Sequence, residues 1–289
     1  MVTCAIFNIN GYVTLWGTKA RRLMILTIDI GNTQIFAGVF DGDAIKARFR
    51  KTSIGSITSD ELGIFLTTIL REHEINPREI TDISISSVVP SLLRTVTNCC
   101  AKYFGIKPFI VEVGIKTGIK IPASYDKLGA DRVADCMAAV KRFPNQNLIV
   151  VDFGTANTFD AISKNKEYKG GAITVGVGTS LNALTRNTAL LSNVEIIKPR
   201  KAAGCTTEHQ LQSGLYYGHL GMIKEYIFRF RKECFNDEDA LVVATGGFAR
   251  MFEKSGVFDC YDPDLLLEGI KYALEVNRTQ EKKKKRGSK

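Results

Sequence analysis

The feature that most constrains the fold is a short pattern that occurs twice, with its two aspartates, Asp29 and Asp152, 123 positions apart. In each copy an apolar run of β-strand character leads to an aspartate, a glycine follows two positions later, and a second apolar run begins after a short polar turn. Self-similarity over a long period indicates related structural units. The repeat therefore predicts two related halves that each open with a strand, a glycine turn and a second strand. The pairs at this spacing are Asp29 and Asp152, Gly31 and Gly154, Phe36 and Phe159, and Val39 and Ile162.

The first turn carries groups that suit the phosphates of a nucleotide. Gly31 lets a ligand approach the main chain closely, and Asn32 and Thr33 add polar side chains beside exposed backbone N–H groups. Such a turn with an acid beside it suits a phosphate tail that carries a divalent metal. A single Asp-x-Gly hairpin is also ordinary turn chemistry, so the second copy is what favours a nucleotide held from both sides of a cleft. The chain has no Gly-x-x-x-x-Gly-Lys-Ser/Thr sequence, which excludes a Walker-type phosphate loop.

The length of 289 residues and the hydrophobic content of 45% suffice for one large or two medium domains. The formal net charge of +9 is concentrated near the C-terminus, where residues 282–286 are all lysine or arginine. A solvated tail explains such a block better than a nucleic-acid arm, so we expect no nucleic-acid partner. The predicted organisation is an N-terminal extension of unknown role at 1–23, a first half at 24–145, a second half at 146–278 and a basic tail at 279–289.

The seven cysteines include no Cys-x-x-Cys pair and the chain has only three histidines, so no zinc site is predicted. This cysteine usage favours a reducing, cytoplasmic location. No segment reaches the roughly 20 apolar residues of a membrane span, and residues 1–23 lack the charge order of a secretory signal. We therefore expect no membrane association.

Strands that alternate with helices predict an α/β architecture. Thr58 and Glu61 form a capping-box pattern at the start of one helix, and Pro90 suits the first turn of the next. Further helices are predicted to begin at Ser180 and just after Thr206.

The segment around Gly129 is a second candidate for chemistry. Gly129 precedes a predicted helix that runs to about Phe143 and has Asp131 and Arg132 in its first turn. The helix dipole favours an acid there but not an arginine, so the position of Arg132 needs a reason. One interpretation is a surface Asp–Arg pair. The other is a substrate loop in which Asp131 accepts a proton from a hydroxyl and Arg132 binds an anionic group.

A third candidate lies near the C-terminal end of the chain. Residues 241–245 have strand character and are followed directly by Gly246 and Gly247. Paired glycines let a flat ring lie against the backbone, so we interpret this turn as an adenosine contact.

Taken in order, these motifs resemble those of the type III pantothenate kinases, a family of the acetate and sugar kinase, Hsp70 and actin superfamily. The resemblance runs from about residue 24 to about residue 276. It implies an α/β fold with two related ribonuclease-H-like halves and a cleft between them. The matching segments are residues 29–33, 87–90, 129–132, 152–156, 170–173, 212–214 and 244–249.

The resemblance also implies ATP-dependent phosphorylation of pantothenate to 4′-phosphopantothenate, the first step of coenzyme A synthesis, by a homodimer. Asp131 would be the general base, Asp29 would lie near the Mg²⁺ that accompanies ATP, and Asp152 would bind a monovalent cation, K⁺ or NH₄⁺. The implied ATP-binding residues are Asp29, Ile30, Gly31, Asn32, Thr33, Gln34, Ile35, Phe36, Thr155, Gly246 and Gly247. The implied pantothenate-binding residues are Tyr125, Gly129, Ala130, Asp131, Arg132 and Thr207.

Three positions depart from the family's usual pattern. Asn157 replaces a threonine, Val175 replaces a proline, and Cys205 replaces a lysine. We expect little effect from Asn157, a looser loop from Val175, and weaker attraction of an anion from Cys205.

Two alternatives remain at this point. A kinase for another small hydroxy acid or a sugar is disfavoured because Arg132 suits a carboxylate and a neutral sugar offers it nothing to bind. A non-catalytic, nucleotide-binding regulator is disfavoured because Asp131 is intact.

Overall fold

The computed structural model describes residues 24–112, 114–125, 127–188 and 190–287, with side chains as far as Arg278. The predicted N-terminal extension lies outside these residues. The chain forms two compact units. Of the described residues, the first unit comprises 24–115, 129–131 and 273–287, and the second unit comprises 116–128 and 132–272. The domain boundaries predicted from the sequence stay a prediction.

The first unit is built on a five-stranded mixed sheet of order β3-β2-β1-β4-β5. Strands β1 to β3 pair antiparallel, and β4 and β5 are parallel to β1 and β4 respectively. Every residue of β1 is buried, as expected for a strand whose two faces are both covered. The strands are β1 Met24–Ile30, β2 Gln34–Asp41, β3 Ala44–Thr52, β4 Ile80–Ser87 and β5 Phe109–Ile110.

Two α-helices pack on this sheet, α1 (Ser59–Glu72) and α2 (Pro90–Cys99). The predicted capping box is confirmed, because the backbone N–H of Thr58 donates to Glu61 Oε2 at 2.7 Å and the N–H of Glu61 donates to Thr58 Oγ1 at 3.2 Å. Pro90 occupies the first turn of α2, also as predicted. A 3₁₀ turn (Pro77–Glu79) and a π-helical turn (Cys100–Phe104) complete the unit. Its core includes Leu26, Ile28, Leu62, Leu66, Leu92 and Val96.

The second unit repeats the same sheet with the order β10-β9-β6-β7-β8. Its central strand β6 pairs antiparallel with β7 and parallel with β9, as β1 does with β2 and β4. The strands are β6 Asn147–Phe153, β7 Ala156–Ile162, β8 Tyr168–Val175, β9 Ala240–Thr245 and β10 Cys260–Tyr261. The second unit contains helices α4 (Val177–Asn187) and α5 (Thr207–Phe235), with 3₁₀ turns at Ala123–Tyr125 and Ala249–Ser255. Helices α3 (Ala130–Arg142) and α6 (Leu265–Gly287) each contain residues of both units. The predicted α/β fold with two related halves is thus confirmed.

The two hairpins differ in one detail of their strand pairing. Asp29 pairs with Phe36 across the first hairpin, whereas Asp152 pairs with Thr158 and not with Phe159. The second turn is therefore one residue shorter than the first, so the residues that pair with the two aspartates across the hairpins do not keep the 123-residue spacing.

Candidate functional site

The first hairpin turn, between β1 and β2, is held by its own backbone. The N–H of Gly31 donates to Gln34 O at 3.1 Å, and the hydroxyl of Ser53 donates to Gly31 O at 2.6 Å. A second bond runs from Ser53 N to Thr33 O at 2.9 Å. These bonds fix the turn beside Asp29, which is buried at the end of β1.

The predicted ATP-binding residues of this hairpin differ in how far their side chains are exposed to solvent. Asn32, Thr33 and Gln34 are exposed. Ile30 and Ile35 belong to the core of the first unit. Phe36 is also buried, and the guanidinium carbon of Arg50 lies 3.7 Å from the centre of its ring. The two isoleucines and Phe36 can therefore meet a ligand chiefly through their backbone.

The second hairpin turn, between β6 and β7, reproduces this geometry. The N–H of Gly154 donates to Ala156 O at 3.1 Å, and a Cβ on Gly154 would lie 3.4 Å from Asp152 Oδ2. Each unit thus has a carboxylate at the end of its central strand with a tight glycine turn beside it.

The predicted adenosine turn lies against this second hairpin. Gly246 has a φ of +89°, and a Cβ at this position would overlap the carboxylate of Asp152 and lie 2.6 Å from Phe153 N. The N–H of Phe248 donates to Phe153 O at 3.2 Å. Only glycine fits both the backbone angle and the space, so the structure brings the Gly246–Gly247 turn and Asp152 together.

The start of α4 is a part of this site that the sequence reasoning did not include. The hydroxyl of Thr179 donates to Thr155 O at 2.6 Å, and the N–H of Gly176 donates to the same oxygen at 3.2 Å. A helix N-terminus attracts anions, so α4 adds favourable backbone charge beside the second turn. The helix begins at Val177, three residues before the predicted start at Ser180. The glycine at its N-cap was the available signal.

Asp131 belongs to the first unit and lies in the first turn of α3, where it is partly exposed. A Cβ on Gly129 would overlap Asp131 Oδ1 and lie 3.8 Å from Val88 Cγ1. Gly129 is therefore required for the position of the Asp131 carboxylate.

Arg132, in the second unit, makes a buried ion pair with Asp160 of β7. Arg132 Nη2 lies 2.8 Å from Asp160 Oδ1, and Nε donates to Asp160 Oδ2 at 3.2 Å. The side chains are only 13% and 2% exposed. The hydroxyl of Tyr168 donates to Asp160 Oδ1 at 2.7 Å and accepts from Arg132 Nη2 at 3.1 Å. Arg132 is thus largely buried and held by partners of the second unit.

Arg132, Asp160 and Tyr168 form a cluster in which the contacts maintain the protonation states of Arg132 and Tyr168. Burial acts to lower the pKa of Arg132, but the charge and hydrogen bonds of Asp160 outweigh it and raise that pKa. The pKa of Tyr168 is also raised, first by burial and then by the adjacent Asp160 carboxylate. Arg132 therefore stays charged and Tyr168 stays protonated at neutral pH.

Tyr125 lies next to this cluster. Its ring packs edge-on against Tyr168, with 4.9 Å between the ring centres, and its side chain is 36% exposed. Gly170 has a φ of +135°, and a Cβ there would lie 3.3 Å from the Tyr125 hydroxyl. Two predicted substrate residues, Tyr125 and Arg132, therefore meet through Tyr168.

Thr207 lies elsewhere in the second unit, at the start of α5. It lines a cavity of about 560 Å³ with Val175, Ser180 and His219 among its neighbours. His219 is buried, with Nδ1 2.7 Å from Leu215 O and Nε2 3.5 Å from Ser180 Oγ. Cys205, close before α5, is exposed.

No group of three or more His, Cys, Asp or Glu residues could hold a metal ion within the described residues. A monovalent cation or a nucleotide-bound Mg²⁺ needs fewer protein ligands, and a carboxylate suits either ion. Asp152, enclosed by the backbone of Gly154 and Gly246, fits that requirement. In the described part of the chain, no helix is long and apolar enough to cross a membrane.

Comparison with known proteins gives consistent matches. The sequence profile of the type III pantothenate kinases matches residues 25–229. A type III pantothenate kinase of Elusimicrobium minutum is 59% identical over 257 residues, which cover 89% of this chain and all of the relative. One from Legionella pneumophila strain Paris is 52% identical over 255 residues, covering 88% and 99%. The solved structure of a Baf-family protein from Campylobacter jejuni has a TM-score of 0.56 at 22% identity and covers 88% of this chain and 99% of that one, which supports the fold alone.

Proposed function

Because the chain belongs to the type III pantothenate kinase family, we propose a role for each part of the site in the ATP-dependent phosphorylation of pantothenate. The reaction transfers the γ-phosphoryl group of ATP to the primary hydroxyl of pantothenate and yields ADP and 4′-phosphopantothenate for coenzyme A biosynthesis. Phosphoryl transfer needs mainly positioning, charge neutralisation and one group that orients or deprotonates the nucleophile.

Asp131 is the general base that accepts the proton of the pantothenate hydroxyl. Support comes from its partly exposed position in the first turn of α3 and from the close contact of Gly129 with its carboxylate. The observation that carries the assignment is that this acid is followed directly by an arginine that is largely buried and ion-paired.

Arg132 binds the carboxylate of pantothenate, the only anionic group of that substrate. Tyr125, Gly129, Ala130 and Thr207 complete the substrate contacts. The position of Tyr125 against Tyr168, which is itself bonded to Arg132, supports its inclusion.

ATP is bound by the two glycine turns and by the Gly246–Gly247 turn, with the N-terminus of α4 adding favourable charge. Asp29 lies near the Mg²⁺ that accompanies ATP, and Asp152 binds the monovalent cation. When bound, these cations neutralise negative charge on the phosphates and in the turns.

The protein acts as a homodimer in the cytoplasm. Support for a dimer comes from the apolar surface that the second unit exposes on β8 and α4, where Ile173, Val175 and Leu184 are 65%, 50% and 41% exposed.

The test is a coupled ADP-release assay with ATP, Mg²⁺ and pantothenate, run in potassium and again in sodium buffer. Turnover that requires pantothenate and is faster in potassium is the expected result. Turnover that is equal in both buffers would overturn the cation assignment alone. Retained ATP binding without turnover in either buffer would favour the regulatory alternative and contradict the proposal.

A further inference from the structure

We propose that Asp160 and Tyr168 are positioning residues that orient the Arg132 guanidinium for the carboxylate of the substrate. This proposal rests on the proposed function and adds two residues to the site. Neither residue was among those that the sequence motifs indicated.

The hydrogen bonds define the orientation of the guanidinium. Asp160 accepts from Nε and Nη2 of Arg132 at 3.2 and 2.8 Å, one bond to each carboxylate oxygen. This two-point contact sets both the position and the plane of the guanidinium. A third bond, from Nη2 to the Tyr168 hydroxyl at 3.1 Å, prevents rotation within that arrangement.

Tyr168 also holds Asp160 in place. Its hydroxyl donates to Asp160 Oδ1 at 2.7 Å, and the tyrosine is itself buried. The ring of Tyr168 contacts Tyr125, so one side chain connects Asp160, Arg132 and a second proposed substrate residue.

The sheet keeps space for this cluster. Gly171 of β8 lies opposite Asp160 of β7 in the strand pairing. A Cβ at Gly171 would overlap both Arg132 Nη2 and the backbone oxygen of Phe159, and would approach the Tyr168 hydroxyl to 2.7 Å. A strand interior normally favours a larger side chain, so the missing side chain here admits the arginine of α3.

Stability alone is a weak reason for such a cluster. Burying an ion pair costs desolvation that its attraction often does not recover, and an apolar replacement is frequently neutral or stabilising. A rigid arginine next to a substrate site does have a use, because a preorganised guanidinium loses less freedom when it binds a carboxylate.

The arrangement predicts selectivity for an acid. Asp160 offsets part of the positive charge of Arg132, so the guanidinium recognises a carboxylate by its geometry as well as by its charge. Pantothenate should therefore be preferred over its uncharged carboxamide, and that preference should depend on Asp160 and Tyr168.

The experiment measures kcat and KM for pantothenate and for its carboxamide with wild type, Tyr168→Phe and Asp160→Asn. Tyr168→Phe should raise the KM for pantothenate about tenfold, leave the KM for ATP unchanged, and hardly affect the carboxamide. Asp160→Asn should lower the acid-to-amide preference further, by about 100-fold, because an amide cannot accept from both Nε and Nη2 and the guanidinium loses its orientation.

The matched control is Asp262→Asn, which removes the charge of another buried acid in the second unit, one that pairs with Arg142. It should lower stability and leave the acid-to-amide preference as in wild type. If Asp160→Asn does not fold, Tyr168→Phe decides the question by itself.

Equal losses for acid and amide in Tyr168→Phe, or a preference that also changes in the control, would overturn the positioning role and leave the kinase assignment intact. Absence of pantothenate turnover by the wild-type protein would overturn the proposed function and the positioning role together.

Discussion

Gly171 of β8 lies so close to Arg132 that a methyl group in its place would overlap Nη2 of the guanidinium. Gly171→Ala should therefore displace Arg132 from Asp160. We expect the KM for pantothenate to rise about tenfold with little change in the KM for ATP, and the free energy of unfolding to fall by about 1–3 kcal/mol from overpacking. Steady-state kinetics and urea unfolding measure the two effects.

A matched control for that variant is Gly221→Ala, because Gly221 lies in α5 of the same unit and, apart from the adjacent helix backbone, no atom lies within 4 Å of its Cβ position. Its KM values should equal those of the wild type. Wild-type kinetics in Gly171→Ala would show that Arg132 can move without consequence for the substrate.

Asp131→Asn should abolish turnover and leave ATP binding intact. The amide keeps the size of the side chain but cannot accept the hydroxyl proton, and general-base catalysis contributes about 10²–10⁴-fold in rate. Turnover assays and calorimetric titration with ATP separate the two properties. Loss of ATP binding in this variant would mean that Asp131 belongs to the nucleotide site.

Asp152→Asn should remove the difference in rate between potassium and sodium buffers, because the substitution removes the charge that binds the cation. The comparison is Asp237→Asn, an exposed acid of the same unit at φ +64°, a backbone angle that asparagine tolerates. The control should retain the wild-type cation response. An unchanged response in Asp152→Asn would exclude Asp152 from the cation site.

The same substitution in two helices should have opposite effects on stability. A Cβ on Gly63 of α1 would overlap the ring of Tyr103, whose hydroxyl donates to Asp60 Oδ1 at 2.9 Å. Gly63→Ala should therefore lower the free energy of unfolding by about 1–3 kcal/mol. Gly221→Ala should raise it by up to about 1 kcal/mol, because alanine is the better helix former. Destabilisation by Gly221→Ala would indicate that this surface of α5 is covered in solution.

The buried thiols of the first unit predict a loss of stability at high pH. Burial, with a smaller contribution from the charge of Asp60, raises the pKa of Cys99 to about 12, and burial also raises the pKa of Cys100. An unfolded thiol ionises at about pH 8.5, so the unfolded state gains stability from ionisation that the folded state cannot. The two thiols should therefore leave the free energy of unfolding unchanged below about pH 8.5 and lower it as the pH rises toward 12. Thermal unfolding between pH 7 and pH 10.5 tests the sign.

Thiol labelling gives an independent check on the same cysteines. A maleimide at pH 8, followed by peptide mapping, should modify exposed Cys205 rapidly and leave Cys99, Cys100 and Cys136 unmodified until the protein is denatured. Labelling of Cys99 in the native protein would show that the first unit opens on the time scale of the reaction.

Local features of the fold were predictable because their causes are local. The strand, glycine and strand order of each hairpin, the capping box at Thr58 and the proline at the start of α2 each depend on a few neighbouring residues. The start of α4 was predicted three residues late, because Gly178 in its first turn is a poor helix former, although Gly176 marks the N-cap.

The sequence by itself thus determined the α/β class, the two related halves, the family and the positions of the candidate motifs. Only the tertiary structure decided that Arg132 pairs with Asp160, that Tyr168 connects both to Tyr125, and that Gly171 leaves them room. The physical reason is the distance along the chain between the groups that determine each feature. Turns and caps are specified by adjacent backbone and side-chain groups, whereas the partner of a buried charge depends on which strands and helices pack together. Arg132 and Asp160 are 28 positions apart, and only the packing of α3 against β7 brings them into contact.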